Sequence, residues 1–203
     1  LIPGDSFAKS ISGDYLEMSG DLRDMTVSDH YLVLPMPVDA AITIDGRVGV
    51  FAASGVPSGG SISLEAYGAI GIRGVLEGTA TVDSYGYLYV DGPVTGRVSL
   101  DSYSTVVLEK GLAGTLDMNS SSDILIRGQI TGTIDAKDSS WSTLYLDGFY
   151  SEWQIEEMSK ASRDFHQITL HLRSSDLPDG EHKKVGEWRT VIVGDPVWDK
   201  LSR

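Results

Sequence analysis

Residues 78–118 read GTATVDSYGYLYVDGPVTGRVSLDSYSTVVLEKGLAGTLDM, and one motif occurs in them three times with an 18-residue period. Each copy is a glycine followed by four residues, of which the second and fourth are apolar: Gly78 to Val82, Gly96 to Leu100 and Gly114 to Met118. Apolar residues at every second position are typical of a strand with one buried face. The motif extends to Gly60 and Gly132, so a stack of equivalent coils is predicted.

A shorter period divides each coil into three sides. Apolar residues occur at thirteen consecutive positions six residues apart. They are Leu64, Ile70, Leu76, Val82, Leu88, Val94, Leu100, Val106, Leu112, Met118, Ile124, Ile130 and Ala136. Three sixes fill one 18-residue coil, whereas an α-helix would show a period of about 3.6 residues. The sequence therefore predicts an all-β protein, a single-stranded parallel β-helix with a triangular cross-section.

The repeat is clearest between residues 41 and 150, which we interpret as the β-helix domain, with about six coils. Residues 1–40 contain prolines and one expected strand at Tyr31–Leu34, and we interpret them as an irregular N-terminal capping segment. A cap is expected because the open end of a β-helix exposes core side chains and unpaired backbone groups.

The last segment, residues 151–203, has a different pattern. Residues 151–163 predict a short helix with Ser151 as its N-cap. Two alternating stretches follow, around Leu170 and Val191, and predict a pair of strands. We interpret this segment as a small α+β cap at the C-terminal end.

The composition argues against several kinds of partner. The formal net charge is −13 and no region is basic, which disfavours binding to the phosphate backbone of nucleic acids. No apolar stretch approaches the roughly 20 residues that span a bilayer, so no transmembrane segment is expected. The chain has no cysteine, which excludes disulfides and thiolate metal sites. A cytoplasmic location is expected, or an extracellular one if a leader has been removed before Leu1.

Two columns of outward-facing residues form the candidate binding surface. Tyr67, Tyr85 and Tyr103 recur at one position of successive 18-residue coils, and Asp83 and Asp101 recur at another. Each column should form a ladder with a spacing of about 4.8 Å. Aromatic rings in this arrangement can hold a glycan or a partner protein, although the simpler interpretation is that they stack on one another. The aspartates could be the carboxylate pair of a glycosidase or bind Ca²⁺, although opening corner turns is the simpler role.

Histidine is absent where catalysis in the coils would need it. The four histidines are His30, His166, His171 and His182, and none lies between residues 31 and 165. The predicted coils therefore lack a histidine base and a histidine metal ligand, and their serines lack a neighbouring base. We predict no catalytic residues, no metal site and no cofactor, and hence a protein that is not an enzyme.

Two known families share this periodicity. The six-residue period resembles that of the hexapeptide-repeat acyltransferases, but their catalytic histidine lies in the coils and has no counterpart here. The stretches GTLDM (114–118) and ILIRGQITGTIDA (124–136) are more similar to the bactofilins, polymer-forming cytoskeletal proteins of bacteria. This resemblance covers about residues 60–148 and implies a right-handed β-helix that assembles end to end into filaments. The folded pattern of residues 149–203 departs from that family and could block assembly at that end.

Three functions are compatible with the sequence. The first is a bactofilin-like scaffold that self-associates through the ends of the β-helix, which the regular core without a catalytic set favours. The second is a capped monomeric module that binds a glycan or a protein through the tyrosine column, which the folded flanks favour. The third, ranked last, is an enzyme acting on polysaccharide through Asp83 and Asp101 or through Asp117 and Asp135.

Overall fold

The computed structural model describes residues 15–18, 21–119, 121–139, 141–160, 168–194 and 198. In chain order the strands are β1 (Tyr15–Glu17), β2 (Met25–Val27), β3 (Tyr31–Leu34), β4 (Ala41–Ile44), β5 (Gly49–Ala52), β6 (Ser61–Leu64), β7 (Ala69–Ile72), β8 (Thr79–Val82), β9 (Tyr87–Val90), β10 (Arg97–Leu100), β11 (Thr105–Leu108), β12 (Thr115–Asn119), β13 (Asp123–Arg127), β14 (Thr133–Asp138), β15 (Thr143–Phe149), β16 (Thr169–Ser174), β17 (Gly180–Val185) and β18 (Trp188–Val193). The helix α1 (Glu152–Lys160) lies between β15 and β16.

Alternate strands stack into two parallel sheets. Sheet A has the order β1-β3-β5-β7-β9-β11-β13-β15-β16-β18-β17, and sheet B has the order β14-β12-β10-β8-β6-β4-β2. A third side consists of single bridging residues in successive coils: Val56, Leu76, Val94, Leu112 and Ile130. Each coil thus has three sides, as the two sequence periods predict. The protein is a β-helix repeat protein.

The register between coils follows the 18-residue repeat through the middle of the chain. Arg97 of β10 pairs with Thr79 on one side and with Thr115 on the other. Side chains along β10 alternate, so that Val98 and Leu100 are buried while their neighbours face outward. Of the thirteen apolar positions six residues apart, all are buried except Ile130, which is partly buried against the core. The predicted core is confirmed.

The β-helix is longer than predicted, with about nine coils rather than six. Residues 15–34, within the segment expected to be irregular, supply β1, β2 and β3, while β16 and β18 continue sheet A beyond residue 150. Changes in coil length explain why the sequence period misses these coils. Tyr15 pairs with Tyr31 and Met25 pairs with Ile42, and both separations are shorter than the regular repeat. Thr143 pairs with Thr169 across the helix α1, and this separation is longer than the repeat. The right-handed coil that the bactofilin resemblance implies stays a prediction.

The C-terminal cap begins with α1, which occupies the place in the chain where a strand of sheet B would follow β14. Ser151 caps the helix as predicted: its Oγ accepts the Gln154 N–H at 3.3 Å, and Gln154 Oε1 accepts the Ser151 N–H at 2.9 Å. Ile155 is buried, and its carbonyl accepts a hydrogen bond from Trp188 Nε1 at 3.0 Å. The helix is thereby fixed to β18. The end of the predicted helix, at 161–163, lies outside the described residues.

The outermost strand of the cap was missed by the sequence analysis. β17 pairs antiparallel with β18 and forms the C-terminal edge of sheet A, whereas the two predicted strands, β16 and β18, pair in parallel. Its exposed residues include Glu181, Lys183 and Lys184. Charged side chains on an edge strand oppose pairing with another strand. This edge is therefore protected against strand addition.

Tyr150 connects the last regular coils to the cap. Its hydroxyl donates to the Gly128 carbonyl at 2.7 Å, and its side chain is buried. Burial, with a smaller contribution from Asp147, raises the pKa of Tyr150 from 10.0 to about 12. Because this folded-state pKa lies above the unfolded value, the neutral phenol stabilises the fold fully below pH 10, and that stabilisation is lost as the pH rises to about 12.

We expect Tyr150→Phe to lose less unfolding free energy than the native protein as the pH rises from about 9 to 11.5, because the variant has no phenol to ionise at this position. The measurement is urea denaturation followed by circular dichroism across that range. Tyr87, whose pKa burial also raises, is present in both proteins and contributes equally. Identical pH dependence in the two proteins would contradict the prediction.

Candidate functional site: an aromatic ladder at one corner

The three predicted tyrosines lie one above another at a single corner of the β-helix. Tyr67, Tyr85 and Tyr103 each stand two residues before a strand of sheet A, namely β7, β9 and β11. These strands pair in register, so the three positions are equivalent. The ring centroids of Tyr67 and Tyr85 are 5.2 Å apart and those of Tyr85 and Tyr103 are 5.1 Å apart, with interplanar angles of 3° and 9°. The predicted ladder is present.

A tryptophan that the sequence analysis missed belongs to the same column. Counting in steps of 18 from Tyr103 leads to Ser121 and then to Ser139. The observed register pairs Asp123 with Thr143, which places Trp141 in the column in place of Ser139. The signal was present in the sequence as the two-residue insertion in this coil. We refer to Tyr67, Tyr85, Tyr103 and Trp141 as the aromatic ladder.

All four residues of the aromatic ladder have left-handed backbone angles, with φ of +52°, +63°, +60° and +63° in chain order. A residue with a side chain adopts this conformation at a cost of about 1–2 kcal/mol. Hydrogen bonds between coils hold it in place: the Tyr67 N–H donates to the Ser84 carbonyl at 3.0 Å, and the Tyr85 N–H donates to the Ser102 carbonyl at 2.9 Å. At a different corner, the one that follows the sheet A strands, the residues with positive φ are glycines such as Gly74 and Gly128. At the ladder corner, in contrast, this conformation is adopted by aromatic residues.

The rings of the aromatic ladder face solvent. The tyrosine residues are 54%, 55% and 59% exposed, and Trp141 is 74% exposed. At the N-terminal end of the column the guanidinium carbon of Arg47 lies 5.4 Å from the centroid of the Tyr67 ring, which is a cation–π contact. Ser121 lies between Tyr103 and Trp141 and interrupts the column.

The candidate aspartates shape this corner. Asp83 Oδ1 accepts hydrogen bonds from the backbone N–H of Ser84 at 2.6 Å and from its Oγ at 2.9 Å. Asp101 Oδ1 accepts the equivalent bonds from Ser102 at 2.8 and 3.3 Å. Both aspartates thus bond to the next residue along the chain, whereas the Asx-turn bond expected from the sequence is to the residue two positions on. Each aspartate stands two residues before a ladder tyrosine, so its turn helps to position the ring.

The histidines are scattered among the described residues. His182 Nε2 lies 2.6 Å from the Pro178 carbonyl oxygen, and His171 stacks on Tyr145 with the centroids 4.8 Å apart. His166 lies outside the described residues. In the part of the chain that the structure describes, no three His, Asp or Glu side chains are grouped as metal ligands.

Comparison with known proteins does not extend the assignment beyond the fold. No protein-family model matches the chain, and no curated protein or solved structure is significantly similar to it. Among the described helical residues, no helix is long and apolar enough to cross a membrane.

Proposed function

We propose that the protein is a non-enzymatic binding module, a capped β-helix that holds an extended glycan or a segment of a partner protein along its aromatic ladder. The observation that supports this proposal is the exposure of four aromatic residues on one corner, each with a left-handed backbone. The cap at the C-terminal end favours a module with a lateral binding surface over a filament that grows from that end.

The energetics of the corner support a binding role. A left-handed backbone costs about 1–2 kcal/mol at each ladder position, and a stacked pair of rings returns about 0.5–1.5 kcal/mol. The aromatic ladder therefore contributes little net stability to the fold. Exposed Tyr and Trp side chains that contribute little to stability are typical of contact surfaces, where they dominate the binding energy.

The shape of the aromatic ladder suits a chain-like ligand. The three tyrosines form a continuous strip of rings parallel to the axis of the β-helix, with one ring per coil at 5.1 and 5.2 Å. Trp141 extends the strip by two more coils of about 4.8 Å each. A ligand that follows the strip must itself be extended, and it contacts the edges and hydroxyl groups of the tyrosine rings, because the ring faces are stacked on one another.

An enzymatic role for the corner carboxylates is less well supported. Asp83 and Asp101 are engaged in turn hydrogen bonds through Oδ1. Asp117, from the other aspartate pair considered, forms an ion pair with Arg97. Carboxylates that shape turns and pair with arginine are not arranged as a free acid and a free base. We therefore propose that none of these residues is catalytic.

The proposal predicts that the double variant Tyr67→Asn/Tyr85→Asn loses ligand binding while it keeps the fold. Asparagine adopts left-handed angles more readily than most residues, so the corner backbone should be retained. Glycan and peptide arrays would identify a ligand, and calorimetry would compare affinities. We expect the variant to bind at least about tenfold more weakly than the native protein, since two contact rings are removed.

The matched control is Trp153→Gln, which removes an aromatic side chain that is 67% exposed on α1 and lies outside the aromatic ladder. This variant should bind as the native protein does. Equal affinity of the native protein and the tyrosine double variant would contradict the proposal, as would the absence of any ligand on both arrays.

Self-association is the second candidate function, and it corresponds to the bactofilin-like scaffold in the cytoplasm. Among the described residues, no strand stacks beyond β1 in sheet A or beyond β2 in sheet B. Unpaired strand edges favour pairing with another chain. Because β17 protects the opposite edge of sheet A, we propose that any association uses the N-terminal end and gives a dimer. Sedimentation velocity with negative-stain electron microscopy would test this, and long filaments would show that the cap does not block growth.

A further inference from the structure

The interruption of the aromatic ladder at Ser121 has the dimensions of one missing ring. Ser121 lies one coil from Tyr103 and one coil from Trp141. The two aromatic residues are therefore two coils apart, which is about 9.6 Å at the usual rung spacing. The stacked tyrosines show that a neighbouring ring occupies one coil, at 5.1 to 5.2 Å. One flat ring placed beside Ser121 would contact an aromatic side chain on both faces.

A cavity is present at this gap. Its volume is about 130 Å³, and it is lined by Tyr103, Ser104, Ser121, Ser122, Asp123 and Trp141. Ser104 and Ser122 are buried and form its floor, whereas Tyr103, Asp123 and Trp141 are exposed and form its rim. A cavity of about 150 Å³ is large enough to hold one six-membered ring. The cavity between Tyr103 and Trp141 is of similar size.

The polar group that a ligand in this cavity can reach is the Asp123 carboxylate, which is exposed at the rim. A carboxylate accepts hydrogen bonds from hydroxyl groups, so the cavity offers both ring contacts and a hydrogen-bond acceptor. The Ser122 hydroxyl is not part of this surface, because it is closed to water and its position faces the core: a Cβ on Gly86, the equivalent residue two coils earlier, would contact Leu64 and Val82.

We propose that the gap between Tyr103 and Trp141 is a subsite for one pyranose ring of a neutral glycan. The two aromatic side chains contact the C–H faces of the sugar ring, and sugar hydroxyls donate hydrogen bonds to the exposed Asp123 carboxylate. A phenylalanine side chain of a protein partner would fill the space but would offer the carboxylate no hydrogen-bond donor. The net charge of −13 and the carboxylate at the rim disfavour an acidic sugar.

This inference rests on the proposed function, because it uses the same corner of the β-helix, but it can be tested separately. The probes are hexasaccharides of β-1,4-linked glucose, N-acetylglucosamine, mannose and xylose, titrated against the intact protein by calorimetry and by ligand-observed NMR. The decisive variant is Ser121→Tyr, which supplies the missing ring from the chain itself and so fills the subsite. Its matched control is Ser121→Ala, which leaves the subsite open.

We expect the native protein and Ser121→Ala to bind at least one hexasaccharide with the same affinity. Ser121→Tyr and Trp141→Asn should weaken that binding by about tenfold or more, because the first blocks the subsite and the second removes one face. Asp123→Ala should weaken it by about fivefold, the effect of one hydrogen bond. Circular dichroism melting should show that all four variants are folded.

The outcomes separate this inference from the proposed function. Undiminished binding in Ser121→Tyr would overturn the subsite, and a loss in Tyr67→Asn/Tyr85→Asn would still support the ladder. Loss of binding in Ser121→Tyr and Trp141→Asn but not in the tyrosine double variant would support the subsite and overturn the longer ladder. Binding of peptides but of no hexasaccharide would overturn the glycan subsite alone.

Discussion

Replacing Gly96 by alanine is expected to destabilise the β-helix by about 3 kcal/mol or more, because the added methyl group has no space between two coils. A Cβ at this position would lie 2.1 Å from the Gly78 carbonyl oxygen and 2.3 Å from that of Glu77. Both atoms belong to the backbone of the preceding coil, so neither can move without displacing that coil. The same close approach occurs along the whole glycine column, at Gly60, Gly78, Gly96, Gly114 and Gly132, where the nearest carbonyl oxygen is 1.8 to 2.2 Å from the added Cβ.

Urea denaturation followed by circular dichroism would measure this effect. The matched control is Thr95→Ala at the neighbouring exposed position, which should change the unfolding free energy by no more than about 0.5 kcal/mol. A Gly96→Ala variant as stable as the control would show that successive coils are farther apart at this corner than the structure places them.

Leu100→Asp is expected to prevent folding altogether. Leu100 is 1% exposed, and its strand neighbours in the adjacent coils, Val82 and Met118, are buried with it. The buried polar residues among those described are all serines, so the new carboxylate would have no cation to pair with. The loss of the leucine side chain costs about 2–5 kcal/mol, and burial of an unpaired charge adds to it. The total approaches the whole stability of an ordinary domain, about 5–15 kcal/mol.

Far-UV circular dichroism and a thermal melt would test this second prediction. Leu100→Met conserves the volume and should cost less than about 1.5 kcal/mol. Ser99→Asn, one residue away on the outward face, should be tolerated because its side chain points away from the core. If Leu100→Asp and Ser99→Asn melted at the same temperature, the register of β10 would be wrong.

The predictions made from sequence succeeded where the coil has a constant length. From Gly60 to Ala136 an 18-residue coil brings the same kind of residue to the same place at every turn, so identical residues must stack. This reasoning placed Leu100 in the core and Tyr67, Tyr85 and Tyr103 in one ladder, and the structure confirms both. The resemblance to bactofilins added the expectations of handedness and assembly, which stay predictions.

The candidate binding site was only partly predictable because the coil length changes beside it. The two-residue insertion in the coil before β15 shifts the column from Ser139 to Trp141, and only the pairing of Asp123 with Thr143 reveals it. Once Trp141 is in place, Ser121 becomes a gap between two aromatic side chains instead of the end of a column.

By itself, the sequence determined the β-helix, its period, the inward column and the tyrosine ladder, because these follow from strand alternation within a constant repeat. The tertiary structure alone decided how many coils there are, where the helix α1 replaces a strand, and how β17 closes the edge of sheet A. The physical reason is that coils are held by hydrogen bonds between strands and by contacts between inward side chains. The segments between strands can shorten, or can contain the helix α1, without disturbing either, so the stack continues from β1 to β18 where the period in the sequence has already been lost.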